Sequence, residues 1–127
     1  QFATADMSQA FRMTEVFAQV FEIIEASYER KIDPDSMSAA RFVTHLRYLF
    51  VRASRASANR TEEDVDEVSQ PSLLAALRAD APRAYACAQK VLLVLQMQLK
   101  HSLTRDELTY LTIHIARLAR DMWGINA

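Results

Sequence analysis

Two of the three histidines lie in similar helical surroundings. His114 sits in the apolar segment ELTYLTIHIARL (107–118), and His45 sits in RFVTHLRYLFVR (41–52). On a helix, residues three and four positions apart are side-chain neighbours. Each histidine therefore has one tyrosine and one arginine beside it: Tyr110 and Arg117 for His114, and Arg41 and Tyr48, with Arg52 two turns on, for His45.

This pattern suits phosphorylation of the imidazole rings. A neutral imidazole nitrogen is nucleophilic, and the ordinary histidine pKa near 6.5 leaves the ring mostly neutral at pH 7. A phosphoryl group there would bring about two negative charges, and Arg41 or Arg117 could donate charge-assisted hydrogen bonds to it. The same spacing also fits histidines that only pack at the edge of an apolar stripe, and spacing does not decide between these interpretations.

Other chemistry finds less support. Helical carboxylate metal sites place a glutamate three residues before a histidine, and here those positions hold Phe42, Gln98 and Leu111. No metal or other cofactor is therefore expected. No serine or cysteine motif of a hydrolytic triad is visible, so the segment is not expected to be an enzyme. His101 lacks tyrosine and arginine neighbours and fits a cation near a helix end.

Composition points to a single helical domain. One glycine and three prolines in 127 residues leave little material for the turns of a β protein. Fifteen basic and sixteen acidic residues give a net charge of −1, which disfavours direct nucleic-acid binding. The longest uncharged apolar run, Val91 to Leu95, is too short for membrane insertion, and the single Cys87 fits a buried thiol in a reducing cytoplasm. Because the chain starts at Gln1, we expect it to belong to a longer polypeptide.

Apolar periodicity predicts five helices in an all-α, compact five-helix bundle. The predicted ranges are about 8–30, 34–54, 71–78, 82–100 and 104–123. Asp33 is the predicted cap of the second helix, with Pro34 at its first position. Thr104 and Glu107 have the spacing of a capping box, and Gly124 is a helix stop. Residues 55–70 are polar and acidic, which favours a solvated loop over a docking surface for a basic partner.

Two segments, RFVTHLRYLFVR and LTRDELTYLTIHIARL (103–118), closely resemble the histidine motifs of the PTS regulation domain. This domain occurs in transcriptional antiterminators of the β-glucoside and sucrose operon type and in related activators. The similarity extends over about residues 8–122 and implies a five-helix bundle. It places the phosphorylated histidines at His45 and His114, and His101 matches neither. Thr44, where a first copy has aspartate, makes the segment most like the second of two tandem copies.

The resemblance implies a homodimeric receiver of the sugar phosphotransferase system. In this family the phosphocarrier HPr or a sugar-specific enzyme II component phosphorylates the histidines, and the dimer arrangement controls an RNA-binding or DNA-binding domain. The 127 residues have no room for that output domain or a first copy. Two alternatives stay open: a histidine-phosphotransfer relay, which Tyr48 and Arg117 three residues after the histidines disfavour, and a purely structural helical dimerisation domain.

Overall fold

The computed structural model describes residues 2–59, 71–100 and 102–126, and these ranges form five helices. No strand occurs in these ranges, so the prediction of an all-α five-helix bundle is confirmed. None of the described helices has the length and apolar character needed to cross a membrane. The helices are α1 (Phe2–Tyr28), α2 (Met37–Asn59), α3 (Pro71–Asp80), α4 (Pro82–Leu99) and α5 (Arg105–Trp123).

Helix α4 provides the centre of the core, because it packs against both α1 and α5. Its buried face combines small side chains, which let the helices approach closely, with larger aliphatic ones: Ala84, Cys87, Ala88, Val91 and Leu95. Helix α1 packs against α4, and its apolar residues Val16, Val20, Ile24 and Tyr28, which recur at helical spacing, are all buried. Burial also raises the pKa of the Cys87 thiol, as expected for a structural cysteine.

The start of α2 differs from the sequence prediction. Asp33 does not cap the helix: its carboxylate accepts from the backbone N–H of Asp35 at 3.0 Å, which forms a local turn that also contains Pro34. Ser36 is the cap instead, since its Oγ accepts from the Ala39 N–H at 3.1 Å. Aspartate competes for nearby backbone donors in this way, so the helix begins three residues later than predicted, at Met37.

The far end of α2 corrects a second prediction. The helix continues to Asn59, so residues 55–59 are helical and do not belong to a loop that starts at 55. Arginine and alanine are good helix formers, and a polar sequence without apolar spacing can still be helical. The rest of the predicted acidic loop, 60–70, lies outside the described residues. Helix α1 also begins earlier than predicted, at Phe2, and ends at Tyr28, where Glu29 adopts a left-handed conformation with φ 52°.

Helix α5 begins and ends as predicted. Glu107 accepts from the Thr104 backbone N–H at 2.9 Å and from the Thr104 hydroxyl at 3.0 Å, and the capping box is present. Gly124 ends the helix with φ 66°, a conformation that costs glycine little. The buried residues Leu111, Ile115 and Leu118 then fix which side of α5 faces the bundle and hence where His114 lies.

Candidate functional site

His45 and His114, which lie 69 positions apart in the sequence, are stacked against each other in the fold. Their ring centroids are 3.9 Å apart and their planes differ by 21°. The buried residues Phe42, Leu46 and Leu49 anchor α2, and α5 packs against it, so each histidine emerges at the edge of its stripe facing the other. Both rings are partly buried. The two motifs therefore form one site and not two.

Tyr110 joins the histidine pair through its ring and its hydroxyl. The hydroxyl donates to the backbone carbonyl of His45 at 3.2 Å and lies 3.2 Å from Nδ1 of the same residue. The tyrosine ring also lies 4.4 Å from the His114 ring, centroid to centroid. Tyr110 is next to His114 on α5, yet its hydrogen bonds go to His45 on α2, a cross-helix contact that sequence spacing does not reveal.

A small, shallow cleft opens beside the paired rings. Arg41 and Arg117 both line it, together with the two histidines. Arg41 also pairs with Asp121 at 3.7 Å, and that carboxylate lies 3.4 Å from Arg120. These ion pairs are partly exposed, which makes them weak and exchangeable. The cleft can therefore offer its arginines to an added anion.

The remaining predicted neighbours lie outside the cleft lining. Arg52 reaches the buried carboxylate of Glu107 at 3.4 Å, linking α2 to the start of α5. Tyr48 is 59% exposed, and the Arg52 guanidinium sits over its ring at 6.0 Å. Burial raises the pKa of the Tyr110 hydroxyl, and the positive charge of Arg52 partly offsets this rise. Arg52 therefore influences the histidine pair indirectly, through Tyr110. The structure thus brings together Arg41, Tyr110 and Arg117 with the histidines and places Arg52 and Tyr48 at the margin.

Burial keeps the His114 ring neutral. Its pKa falls from 6.5 to about 4, first because burial disfavours the charged form and then because His45 and Arg117 add positive charge nearby. A neutral ring retains a nitrogen lone pair at neutral pH. His114 is therefore available as a nucleophile or hydrogen-bond acceptor, and does not act as a general acid.

Sequence reasoning missed two polar residues of the cleft, Ser38 and Asp121. Ser38 precedes His45 by seven residues and Asp121 follows His114 by seven, which is two helical turns in each case. Extending the neighbour search from one turn to two would have found both. His101, predicted to have an ordinary helix-end role, lies outside the described residues. Within the described ranges, no group of three histidine, cysteine or acidic side chains is arranged to hold a metal ion.

The fold and the site define a class: helical domains in which two helices present a stacked histidine pair bordered by arginines. A family model described as PRD domain matches residues 18–118, a range that includes both histidines. The chain belongs to the PRD domain family, which confirms the resemblance identified from the two histidine motifs.

The chain is also similar to curated transcription antiterminators. It is 29% identical over 115 residues to the transcription antiterminator LicT of Bacillus subtilis, covering 91% of this chain and 39% of LicT. It is 30% identical over 112 residues to the PtsGHI operon antiterminator of the same organism, covering 88% and 37%. With the β-glucoside operon antiterminator of Dickeya chrysanthemi the identity is 26% over 116 residues, covering 91% and 38%. The chain therefore spans about two-fifths of the length of these relatives. No solved structure matches.

Proposed function

We propose that this domain is a phosphate-accepting regulatory domain of a cytoplasmic transcription regulator. His45 and His114 accept phosphoryl groups from the phosphocarrier HPr or a sugar-specific enzyme II component. The phosphate changes how two copies of the domain pack as a homodimer, and the dimer controls an RNA-binding or DNA-binding domain elsewhere in the polypeptide. The domain itself catalyses no reaction.

The observation that carries this proposal is the stack of the two histidine rings at 3.9 Å beside a cleft with two arginines. A neutral ring supplies the nucleophilic lone pair, and the low pKa of His114 favours that state. Arg41 and Arg117 supply donors for the phosphate once it is attached. Histidines that only fill an apolar edge would need neither the mutual stacking nor the arginines.

The same geometry supports a switch. A phosphoryl group on either ring adds about two negative charges beside the stacked rings. Arg41 can exchange its partly exposed partner Asp121 for the phosphate, which would loosen one contact between α2 and α5 and form another. Moving a two-state balance from one side to the other takes about 5.5 kcal/mol, so several such contacts must change together.

The similarity to antiterminators supports a role in transcription regulation. Their names describe antitermination, and two of them name an operon, PtsGHI in one and β-glucoside in the other. Because this chain matches about two-fifths of each relative, the output domain is proposed to lie in the part of the polypeptide beyond these 127 residues. The small net charge of the chain agrees with an output domain that lies elsewhere.

Phosphorylation with enzyme I, HPr and phosphoenolpyruvate tests the proposal. We expect acid-labile phosphate on the wild-type chain and its loss in the His45→Ala, His114→Ala double variant. His101→Ala is the matched control, because it removes a histidine outside both motifs, and its labelling should equal that of the wild type. Absence of label from the wild type, or undiminished label in the double variant, would contradict the proposal.

Following the phosphate after labelling separates the switch from the two alternatives. A regulatory switch predicts a phosphate-dependent change in dimer mass or shape, measured by light scattering and small-angle X-ray scattering. A relay predicts rapid transfer to a response-regulator aspartate. A purely structural dimerisation domain predicts neither result.

A further inference from the structure

The Tyr110 hydroxyl makes two contacts with one residue of the other helix. It donates to the backbone carbonyl oxygen of His45 at 3.2 Å, and it lies 3.2 Å from the Nδ1 atom of the same residue. A tyrosine hydroxyl has a single hydrogen, and a carbonyl oxygen has none to give. The carbonyl contact is therefore a hydrogen bond only when the tyrosine hydrogen points at it.

This arrangement fixes the proton of His45. With its hydrogen used at the carbonyl, the tyrosine oxygen can only accept from Nδ1, so Nδ1 must carry the hydrogen if both contacts are hydrogen bonds. The opposite tautomer would leave a contact of 3.2 Å between two acceptors. In neutral imidazole only one nitrogen carries a proton, and the partner of one nitrogen decides the state of the other. The lone pair of His45 is thus assigned to Nε2.

The position of the cleft agrees with this assignment. His45 lines the cleft together with Arg41 and Arg117, whereas Tyr110 does not. The ring edge that carries Nδ1 lies 3.2 Å from the Tyr110 hydroxyl. Burial raises the pKa of the Tyr110 hydroxyl, so the group keeps its hydrogen at neutral pH.

His114 provides a contrast on the other side of the stack. In the part of the chain that the structure describes, the His114 ring stacks on the His45 ring and lies at a tilt to the Tyr110 ring, but it makes no hydrogen bond. Nothing comparable fixes which of its nitrogens carries the proton. The two histidines of the pair are therefore chemically different, although their sequence motifs are alike.

We infer that Tyr110 is a positioning residue that holds the His45 proton on Nδ1 and so makes Nε2 the nitrogen that accepts phosphate, an inference that rests on the proposed function. In the transfer, the Nε2 lone pair forms a nitrogen–phosphorus bond with the phosphoryl group of a phosphohistidine donor. The donor's own nitrogen–phosphorus bond breaks, and its electron pair stays on the donor nitrogen. The Nδ1 proton remains on the His45 ring, shared with the tyrosine oxygen.

Nitrogen NMR of the imidazole rings tests the tautomer without any phosphorylation. The 127-residue chain, labelled with nitrogen-15, should give a His45 signal pattern in which Nδ1 is protonated and Nε2 is not. Tyr110→Phe removes the hydroxyl and keeps the aromatic ring, and we expect a mixture of tautomers in this variant. Tyr85→Phe removes a tyrosine hydroxyl on α4 and serves as the matched control, with the wild-type tautomer unchanged.

Phosphorylation of the same proteins tests the acceptor atom. In the wild type, phosphorus–nitrogen correlation should place the His45 phosphate on Nε2. In Tyr110→Phe, the initial rate of loading on His45 should fall roughly three- to tenfold, the equivalent of one hydrogen bond, with a cooperative thermal unfolding transition above the assay temperature as the folding check. Tyr85→Phe should load at the wild-type rate.

The outcomes separate this inference from the proposed function. Phosphate on Nδ1 of His45, or a tautomer that is the same in wild type and Tyr110→Phe, overturns the inference and leaves the proposed function standing. A wild type that accepts no phosphate at all overturns both. Protonated Nδ1, phosphate on Nε2 and a changed tautomer in Tyr110→Phe together support it.

Discussion

The packing around α4 and the seam between α2 and α5 are built from different side chains. Around α4 the buried groups are mostly apolar, and Ile24, Val91 and Leu95 are each 0% exposed. The seam has apolar anchors too, but it also holds the buried carboxylate of Glu107 and the partly buried ring of His114. Apolar packing is indifferent to charge, whereas buried polar groups are sensitive to it. The core therefore fixes the scaffold, and the seam is where one added charge can change the packing.

The largest effect is expected in the core. Leu95→Ala should lower the free energy of unfolding by about 2–5 kcal/mol, because it leaves a cavity in the core. Urea denaturation measures the change. Leu93→Ala is the matched control on the same helix: this leucine is 59% exposed, and its loss should cost no more than about 0.5 kcal/mol. Equal costs at the two positions would contradict the assignment of the core.

Glu107 should give the next largest effect. Glu107→Ala removes the Arg52 ion pair and leaves the Thr104 backbone N–H without its acceptor, so the loss should be roughly 2–3 kcal/mol. Urea denaturation again provides the measurement, with Glu15→Ala on the exposed face of α1 as the control. A cost indistinguishable from that of the control would mean that the start of α5 does not depend on the carboxylate.

The pH dependence of stability should distinguish the seam from the core. Because the pKa of His114 is about 4 in the folded chain and 6.5 when exposed, the unfolded chain binds more protons between these values. Stability should fall as pH drops from 6.5 to about 4, by on the order of 2 kcal/mol given the partial exposure of the ring. The change should level off below pH 4.

The difference between wild type and His114→Gln isolates this contribution from other titrating groups. Denaturation at several pH values should show a shallower slope for the variant between pH 6.5 and 4. The core variant Leu95→Ala should keep the wild-type slope, since it removes no titrating group. Parallel curves for wild type and His114→Gln would show that His114 does not titrate differently in the folded and unfolded chains.

The smallest effect is expected at the cleft margin. Asp121→Asn removes the charged partner of Arg41, but this pair is partly exposed, with side-chain exposures of 50% and 32%. The stability change should stay below about 1 kcal/mol by thermal denaturation. A larger loss would place Asp121 among the structural residues of the seam and would weaken the argument that Arg41 is free to change partners.

The sequence predicts what depends on local spacing. The apolar stripes of α1, α2, α4 and α5, the Thr104–Glu107 capping box and the stop at Gly124 all follow from residues within a few helical turns. Asp33 shows the limit of local signals, because a turn competes with the helix for the same carboxylate and Ser36 becomes the cap. The end of α2 could not be predicted for a similar reason, because residues 55–59 are helical but lack the apolar spacing that indicates a helix.

The site could be predicted in its parts but not in its arrangement. Spacing places a tyrosine and an arginine beside each histidine, yet it does not show that the two rings meet or that Tyr110 bonds across to His45. It also does not show that Arg52 pairs with Glu107, 55 positions away. Such contacts depend on which helix faces which, and a single sequence read by helical spacing carries no information on that.

Proton titration of the histidine rings by NMR tests most directly whether the two motifs form one site. In the wild type, the His114 ring should titrate with a pKa of about 4, chiefly because it is buried, and in His45→Gln this value should rise in part because a neighbouring positive charge is removed. His101→Gln should leave it unchanged. A His114 ring that titrates near 6.5 in the wild type, and does not respond to His45→Gln, would contradict the stacked pair on which the proposed function depends.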